Sequence, residues 1–290
     1  MSCPYCGNNK SKKSYLQSTK FNNKIFDYNC CTICHVIYLN PFPIEEDYDK
    51  MYPTTYQGDL NLSDNERYKE LFLDIKRINP NCVTILDYGC GNAELLVNAN
   101  AFGFSTHGIE YNPLMVTKLN DFFTEIKFHS VEEFNEEKNL IKYDVIVLNN
   151  VLEHVTNPNE LLLKLQNHLS ENGLLIVLGP IENNFNIALQ FRKILFKLKK
   201  ITSKSFANHA PYHVTFTNYE NQREIFVRNN FQELYLIVNE VAWPFPDKLN
   251  YNSPNLFLKS FIAKISIKCS KFFNKNAGNM FTYIGKKNQI

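Results

Sequence analysis

The chain has 290 residues, 44% of them apolar and 21% charged, with a formal net charge of +2. That length suits one large domain with a small appendage and supports a sizeable core without disulfides. No apolar run approaches the ~20 residues of a membrane-spanning helix. The opening Met1-Ser2-Cys3-Pro4-Tyr5-Cys6 lacks the basic-then-apolar pattern of a secretory leader. A cytoplasmic protein is predicted, with its eight cysteines serving as thiols or metal ligands.

Four of those cysteines form two knuckles, Cys3-Pro4-Tyr5-Cys6 and Cys31-Thr32-Ile33-Cys34. Each Cys-x-x-Cys lets two thiolates converge on one cation, and two pairs complete a closed tetrahedral zinc site. The 24 residues between the knuckles exceed the roughly 15–20 of the commonest spacing. A hairpin around Phe21–Tyr28 would bring the knuckles together. A redox motif would open a helix after a strand and would not occur twice. Cys3, Cys6, Cys31 and Cys34 are therefore the expected ligands of a structural zinc ion. Cys30 is a decoy or an alternative ligand, and His35 stands outside the set. The metal would stabilise a ribbon over residues 1–43 that is too small to fold alone. Tyr38-Leu39-Asn40-Pro41-Phe42-Pro43 marks its boundary. Tyr48, Tyr52 and Tyr56 follow in a loop-like stretch and are expected to pack the ribbon onto the main domain.

Residues 44–80 read as a linker and a leading helix, the helix opened by the capping box Ser63-Asp64-Asn65-Glu66. Strand and helix signals then alternate. Val83–Asp87 is a strand, Ala93–Ala101 a helix, Thr106–Glu110 a strand and Pro113–Phe123 a helix. Ile126–His129 is a weak strand. Tyr143–Asn149 is apolar throughout its centre, as in a sheet buried on both faces. Pro158–Leu169 is a helix, and Asn172-Gly173 turns into the strand Leu174–Leu178. The class is α/β, a doubly wound parallel sheet.

The first strand-to-helix turn reads Asp87-Tyr88-Gly89-Cys90-Gly91-Asn92-Ala93-Glu94. Gly89 and Gly91 permit a tight turn and close approach of a ligand to the backbone. Glu110 ends the second strand 19 residues beyond Gly91, where a carboxylate can accept both hydroxyls of a ribose. A dinucleotide would put its pyrophosphate at this turn, against the like charge of Glu94. S-adenosyl-L-methionine (SAM) would instead use Asp87 to orient its ammonium group. The acid at Asp87 and the missing third glycine favour SAM.

These residues resemble the class I SAM-dependent methyltransferases over roughly residues 81–240. Ile85–Leu95 is similar to the family's first motif, and Gly108-Ile109-Glu110 to its second-strand acid. Tyr143–Val147 is similar to its fourth strand, and Asn150-Val151-Leu152-Glu153-His154-Val155-Thr156-Asn157-Pro158 to the segment that follows. The resemblance implies a Rossmann-like seven-stranded sheet and SAM as cofactor. It places Asp87, Gly89, Gly91, Glu110 and Asn149 at the cofactor, with Ser130 and Val131 in the adenine position. The ribbon, with Cys31–Cys34, Pro41 and Pro43, resembles that of a bacterial subgroup that methylates sugars and other small molecules. Ubiquinone-pathway O-methyltransferases carry an E-x-x-E-H metal motif here, and Asn150 replaces its first glutamate.

Residues 181–216 and 241–279 interrupt the methyltransferase pattern of residues 81–290, and each is expected to lie over the acceptor. Each carries six Lys/Arg and one acid. The +2 total thus hides two segments at +5. Solvated surface helices, an anionic acceptor such as a nucleotide-linked sugar, and peripheral contact with an anionic membrane all fit that charge.

Methyl transfer to a hydroxyl needs its proton removed, and His154, His209 and His213 are the candidate bases. In the family, a histidine in an H...F(S/T) segment such as His213–Thr217 often borders the active site. The leading expectation is O-methylation of a small molecule such as a sugar or glycan precursor. An RNA methyltransferase gripping nucleic acid with the ribbon, and a non-catalytic SAM-binding protein, are the alternatives.

Overall fold

The computed structural model describes residues 1–53, 68–136, 141–202, 206–242, 245–246, 248–270, 272 and 276–288, with 195–202 as backbone only. The capping box at 63–66 and Tyr56 lie outside the described residues. So do Asp247 and the side chains of Leu195, Lys197, Leu198, Lys199, Lys200 and Lys204.

The N-terminal ribbon contains β1 (Ser11–Lys13), β2 (Thr19–Phe21), β3 (Lys24–Cys31) and β4 (Ile37–Asn40). Asn22 and Asn23 both have positive φ, which suits a two-residue hairpin turn between β2 and β3. That hairpin lies within the span expected from the knuckle spacing. A short helix, α1 (Glu45–Met51), follows, and α2 (Lys69–Ile78) leads into the main sheet. The tyrosine-bearing stretch is therefore partly helical, capped where Asp47 accepts from the Ile44 amide at 3.0 Å.

The main body alternates β5 (Thr84–Tyr88), α3 (Glu94–Ala101), β6 (Ser105–Glu110), α4 (Pro113–Phe122), β7 (Lys127–Ser130), α5 (Val131–Glu136) and β8 (Tyr143–Asn149). It continues through α6 (Pro158–His168), β9 (Leu169–Pro180), α7 (Ile187–Thr202), β10 (Thr215–Phe216), α8 (Tyr219–Arg228), β11 (Phe231–Asn239), α9 (Pro254–Ser270) and β12 (Met280–Lys287). Seven strands form one sheet in the order β11-β12-β9-β8-β5-β6-β7. Only β12 runs antiparallel to its neighbours. Val145, Ile146, Val147 and Leu148 of the central β8 are fully buried, because helices cover both faces. The doubly wound seven-stranded architecture is as expected. One difference is that β9 begins at Leu169 and includes Asn172-Gly173, where a turn was expected; its register against β8 shifts between Leu169 and Leu174, so the irregularity there is a bulge in the strand.

The ribbon is joined to this body rather than tethered to it. β4 pairs with β10, so a single sheet runs β1-β3-β4-β10. Cys3, Tyr5, Cys31, Val36 and Tyr38 belong to the same buried cluster as Leu148, Leu152 and Leu162 of the main domain. Main-domain side chains also hold the knuckle backbone. Asn221 donates to the Cys34 carbonyl at 2.7 Å, Asn159 to Pro4 at 2.7 Å and Arg228 to Tyr5 at 3.2 Å. Among the described residues, no helix is long and apolar enough to cross a membrane.

Candidate functional site

The four knuckle thiols converge. Cys3 Sγ lies 3.5 Å from Cys34 Sγ, and Cys6 Sγ lies 3.5 Å from Cys31 Sγ. All four sulfurs fall within 4.8 Å of one another. The Asn8 side-chain amide and the Ile33 backbone amide both donate to Cys31 Sγ at 3.4 Å, as suits a thiolate. Such a donor set fits a closed zinc site. Cys30 points away, toward the His35 carbonyl.

At the C-terminal ends of the parallel strands, the turn after β5 faces a cavity of about 470 Å³. Gly89 has φ +81, and a Cβ there would meet Val151 Cγ2 at 2.7 Å. Gly91 has φ +56 and open space beside it. Ala93 takes φ +64, the left-handed conformation that a glycine adopts more easily. Both glycines line the cavity, as do Glu110, Val131, Asn150, Val151 and His154. Glu110 accepts from the Gly91 amide at 2.9 Å and the Asn112 amide at 3.2 Å, which fixes its carboxylate at the end of β6. Asp87 is buried, and its Oδ1 has no hydrogen-bond partner. Burial, aided by the charge of Glu110, pushes the Asp87 carboxyl up to about 7. An orphaned buried carboxylate beneath a glycine turn fits the ammonium of SAM. Two of the expected cofactor residues have other duties. Ser130 caps α5 by accepting from the Glu133 amide at 3.1 Å, and Asn149 donates to the Tyr68 hydroxyl at 3.2 Å.

His154 stands on the other wall of the cavity and belongs to a cluster of one acid and two imidazoles. Glu153 and His154 sit in a single 3-10 turn after β8, while His213 precedes β10. The two imidazoles meet edge to face, with centroids 4.9 Å apart. One atom from each of Glu153, His154 and His213 falls within 4.8 Å of the others. His154 Nδ1 lies 2.7 Å from the Tyr212 carbonyl, which can only accept, so that nitrogen carries the proton. Its Nε2 then presents a lone pair 3.6 Å from Glu153 Oε1. His213 Nδ1 donates to Glu182. Burial, with His213 adding to it, holds His154 neutral at about 4, and burial raises Glu153 to about 7. Burial works against a charge on His213 too, but the bond to Glu182 outweighs it and raises that imidazole. Glu153, His154 and His213 together offer a carboxylate oxygen and two ring nitrogens at close quarters, a donor set that fits a divalent cation. His209 is exposed and lines no part of the cavity.

Two residues assigned only to packing in the sequence belong to this site. The Tyr52 hydroxyl lies 2.9 Å from His154 Nδ1, and the Tyr48 hydroxyl donates to the His154 carbonyl at 3.0 Å. Both line the cavity, with Tyr88 and Tyr111. Their four-residue spacing along α1 was the available signal, since it puts both rings on one helical face. Among the described residues, neither basic insertion lines the cavity that each was expected to cover. Tyr212 and His213 touch His154 from behind, while α7 packs on α9 and Lys193 lies over Tyr15 of the ribbon.

Comparison with known proteins agrees with this architecture. The family described as a methyltransferase domain matches residues 60–234, more than half of the chain. A ubiquinone biosynthesis O-methyltransferase from Rickettsia typhi is 27% identical over 118 residues, covering 39% of this chain and 45% of that protein. Its counterpart from Rickettsia bellii is 30% identical over 118 residues, covering 39% and 46%. The match thus spans less than half the length of these curated relatives. Among solved structures, a Pyrococcus horikoshii protein aligns at 12% identity with a TM-score of 0.49, over 85% of this chain and all of that one. The YcgJ protein of Bacillus subtilis aligns at 16% identity with a TM-score of 0.47, over 77% of this chain and all of that one. With its glycine turn, second-strand acid and seven-stranded sheet, the chain belongs to the methyltransferase-domain family, within the class I SAM-dependent methyltransferases.

Proposed function

We propose that the protein transfers the methyl group of SAM to a hydroxyl oxygen of a small acceptor. The observation that carries this reading is one cavity with the glycine turn and Glu110 on one wall and His154 on the other. SAM supplies an electrophilic methyl on a sulfonium centre. Asp87 would hold its ammonium, Glu110 its ribose hydroxyls, and Val131 would flank the adenine. The acceptor oxygen would sit between the turn and His154. His213, its Nδ1 proton held by Glu182, offers Nε2 to the acceptor proton, and Glu153 and His154 complete the basic wall. A divalent cation held by Glu153, His154 and His213 would occupy that same Nε2, and would then supply Lewis acidity to the hydroxyl in place of the imidazole base.

The acceptor class follows from the wall composition. Tyrosine rings line the cavity, and its lining contains no lysine or arginine among the described residues. A ring with an apolar face and an uncharged reacting hydroxyl suits this wall, as in a sugar or glycan precursor. The names of the curated relatives point to a second ring class, a precursor in ubiquinone biosynthesis. The ribbon is proposed to hold structural zinc and to act in packing. RNA binding is disfavoured because both knuckles are engaged with the main domain.

The deciding experiment incubates the protein and isotopically labelled SAM with a sugar panel and a phenol panel, with and without Mg²⁺. Mass spectrometry then seeks a labelled O-methyl product that is lost in His213→Ala. Binding of S-adenosylhomocysteine (SAH) without turnover on either panel would leave the hydroxyl-acceptor reading unsupported. A labelled product on nitrogen would overturn it.

A further inference from the structure

The helix α9 has two unlike faces. Ser260, Ala263 and Ser266 are buried. Ser266 Oγ accepts from the Ala188 amide of α7 at 3.2 Å and donates to Glu240 at 2.6 Å. The opposite face presents Phe257, Leu258, Phe261 and Ile265, each 36–48% exposed. Phe257 and Phe261 stack with centroids 6.0 Å apart, and Tyr251 tilts against Phe257 at 5.3 Å. Phe272, just past the helix, is 89% exposed. Phe191 and Ile194 of the adjoining α7 are exposed as well. Large apolar side chains gathered in this way mark a contact surface rather than ordinary scatter.

The charged residues of α9 itself are of one sign. Lys264 and Lys268 are exposed at its margin, and α9 contains no acid in its 17 residues. The single acid of residues 181–216, Glu182, is buried and committed to His213. A second copy of the chain is a poor occupant, because a two-fold contact would set the same lysines against one another. A polyanion such as RNA would engage the lysines yet leave the phenylalanines in water. An anionic lipid surface satisfies both, with apolar rings in the acyl boundary and ammonium groups among headgroup phosphates.

We propose that the outer face of α9, extended by Phe191 and Ile194 of α7, docks the protein on anionic lipid, lying on the bilayer and not crossing it. None of these residues lines the methyl-transfer cavity, so the proposal stands apart from the reaction assigned above.

The test is flotation of the full chain with vesicles of phosphatidylcholine alone and of phosphatidylcholine with roughly a quarter phosphatidylglycerol, at low and high salt. The expected result is binding to the anionic vesicles only, released by salt. Lys264→Glu with Lys268→Glu, and separately Phe257→Ser with Phe261→Ser, should each lower the bound fraction about tenfold or more. Unchanged SAH affinity would show that the variants remain folded, and the lipid and salt comparisons on the unmodified chain decide the matter if they do not. Absence of binding to the anionic vesicles would overturn the proposal, as would equal binding to both compositions. So would a concentration-dependent dimer that the phenylalanine substitutions abolish.

Discussion

The carboxylate of Glu182, two residues beyond the end of β9, accepts the Nδ1 proton of His213, two residues before β10. Both side chains are largely buried. This pairing fixes the tautomer of the imidazole, and with it the direction of the lone pair that faces Glu153 and His154. Substituting Glu182→Gln keeps the shape but weakens the acceptor. We expect kcat to fall roughly 10- to 100-fold while SAH affinity holds. The pH–rate profile adds a check. Glu182 raises the imidazole against the opposing effect of burial, and the proposed reaction uses the neutral ring as base. Activity should therefore rise with pH through this group, and the rise should move to lower pH in Glu182→Gln.

If Asp87 holds the SAM ammonium as proposed, it couples cofactor binding to pH. Its carboxyl, pushed up to about 7 by burial and by Glu110, must be ionised to pair with an ammonium. SAH affinity, read by isothermal titration, is expected to fall about tenfold per pH unit below that point. Asp87→Asn should bind weakly at every pH and lose the dependence. The sign for stability is opposite. The folded-state value lies above the ordinary 3.8, so ionising Asp87 destabilises the ligand-free fold as pH rises from about 4 to about 7. Ligand-free Asp87→Asn should therefore melt higher than the parent at pH ~8.

The two glycines of the turn should respond differently to alanine. Gly89→Ala combines φ +81 with a 2.7 Å approach to Val151 Cγ2. A loss of about 2–4 kcal/mol in a denaturant titration is expected, with loss of SAH binding. Gly91→Ala meets no atom within 4 Å and should cost about 1 kcal/mol from its backbone conformation alone.

Zinc removal should reach the methyl-transfer site. Thr215 and Phe216 pair with Tyr38 and Ile37 of the ribbon, and the Val214 amide donates to the Glu153 carbonyl at 2.7 Å. Chelation, or Cys31→Ser, is expected to lower the melting temperature and methyl transfer together. Metal analysis should return one tightly held zinc per chain in the untreated protein. Full activity in a zinc-free chain would contradict the coupling.

The sequence made the glycine turn, the second-strand acid and the buried central strand legible, because each is a local pattern. Asp87, Gly89 and Gly91 span five residues, and Val145–Leu148 is a single apolar run. Long-range pairings left weaker traces. Tyr52 reaches His154 across 102 positions, and a tyrosine in a linker reads as packing until its hydroxyl has a partner. Glu182 read as one acid in a basic insertion, since its burial and its bond to His213 across 31 positions depend on the assembled fold. The exposed apolar face of α9 was visible as interleaved phenylalanine and lysine, but which side chains the α7 contact would bury was not.

The pairing of β4 with β10 also sets an order of assembly. When the ribbon leaves the ribosome, the edge of Ile37–Asn40 has no partner, and its complement at Thr215–Phe216 is synthesised about 175 residues later. An unpaired strand edge is a site for unwanted association. During that interval, a metal ion gathering the four thiols would hold the ribbon compact. The N-terminal segment thus folds early and is completed late, and the strand that completes it follows directly on His213 and Val214.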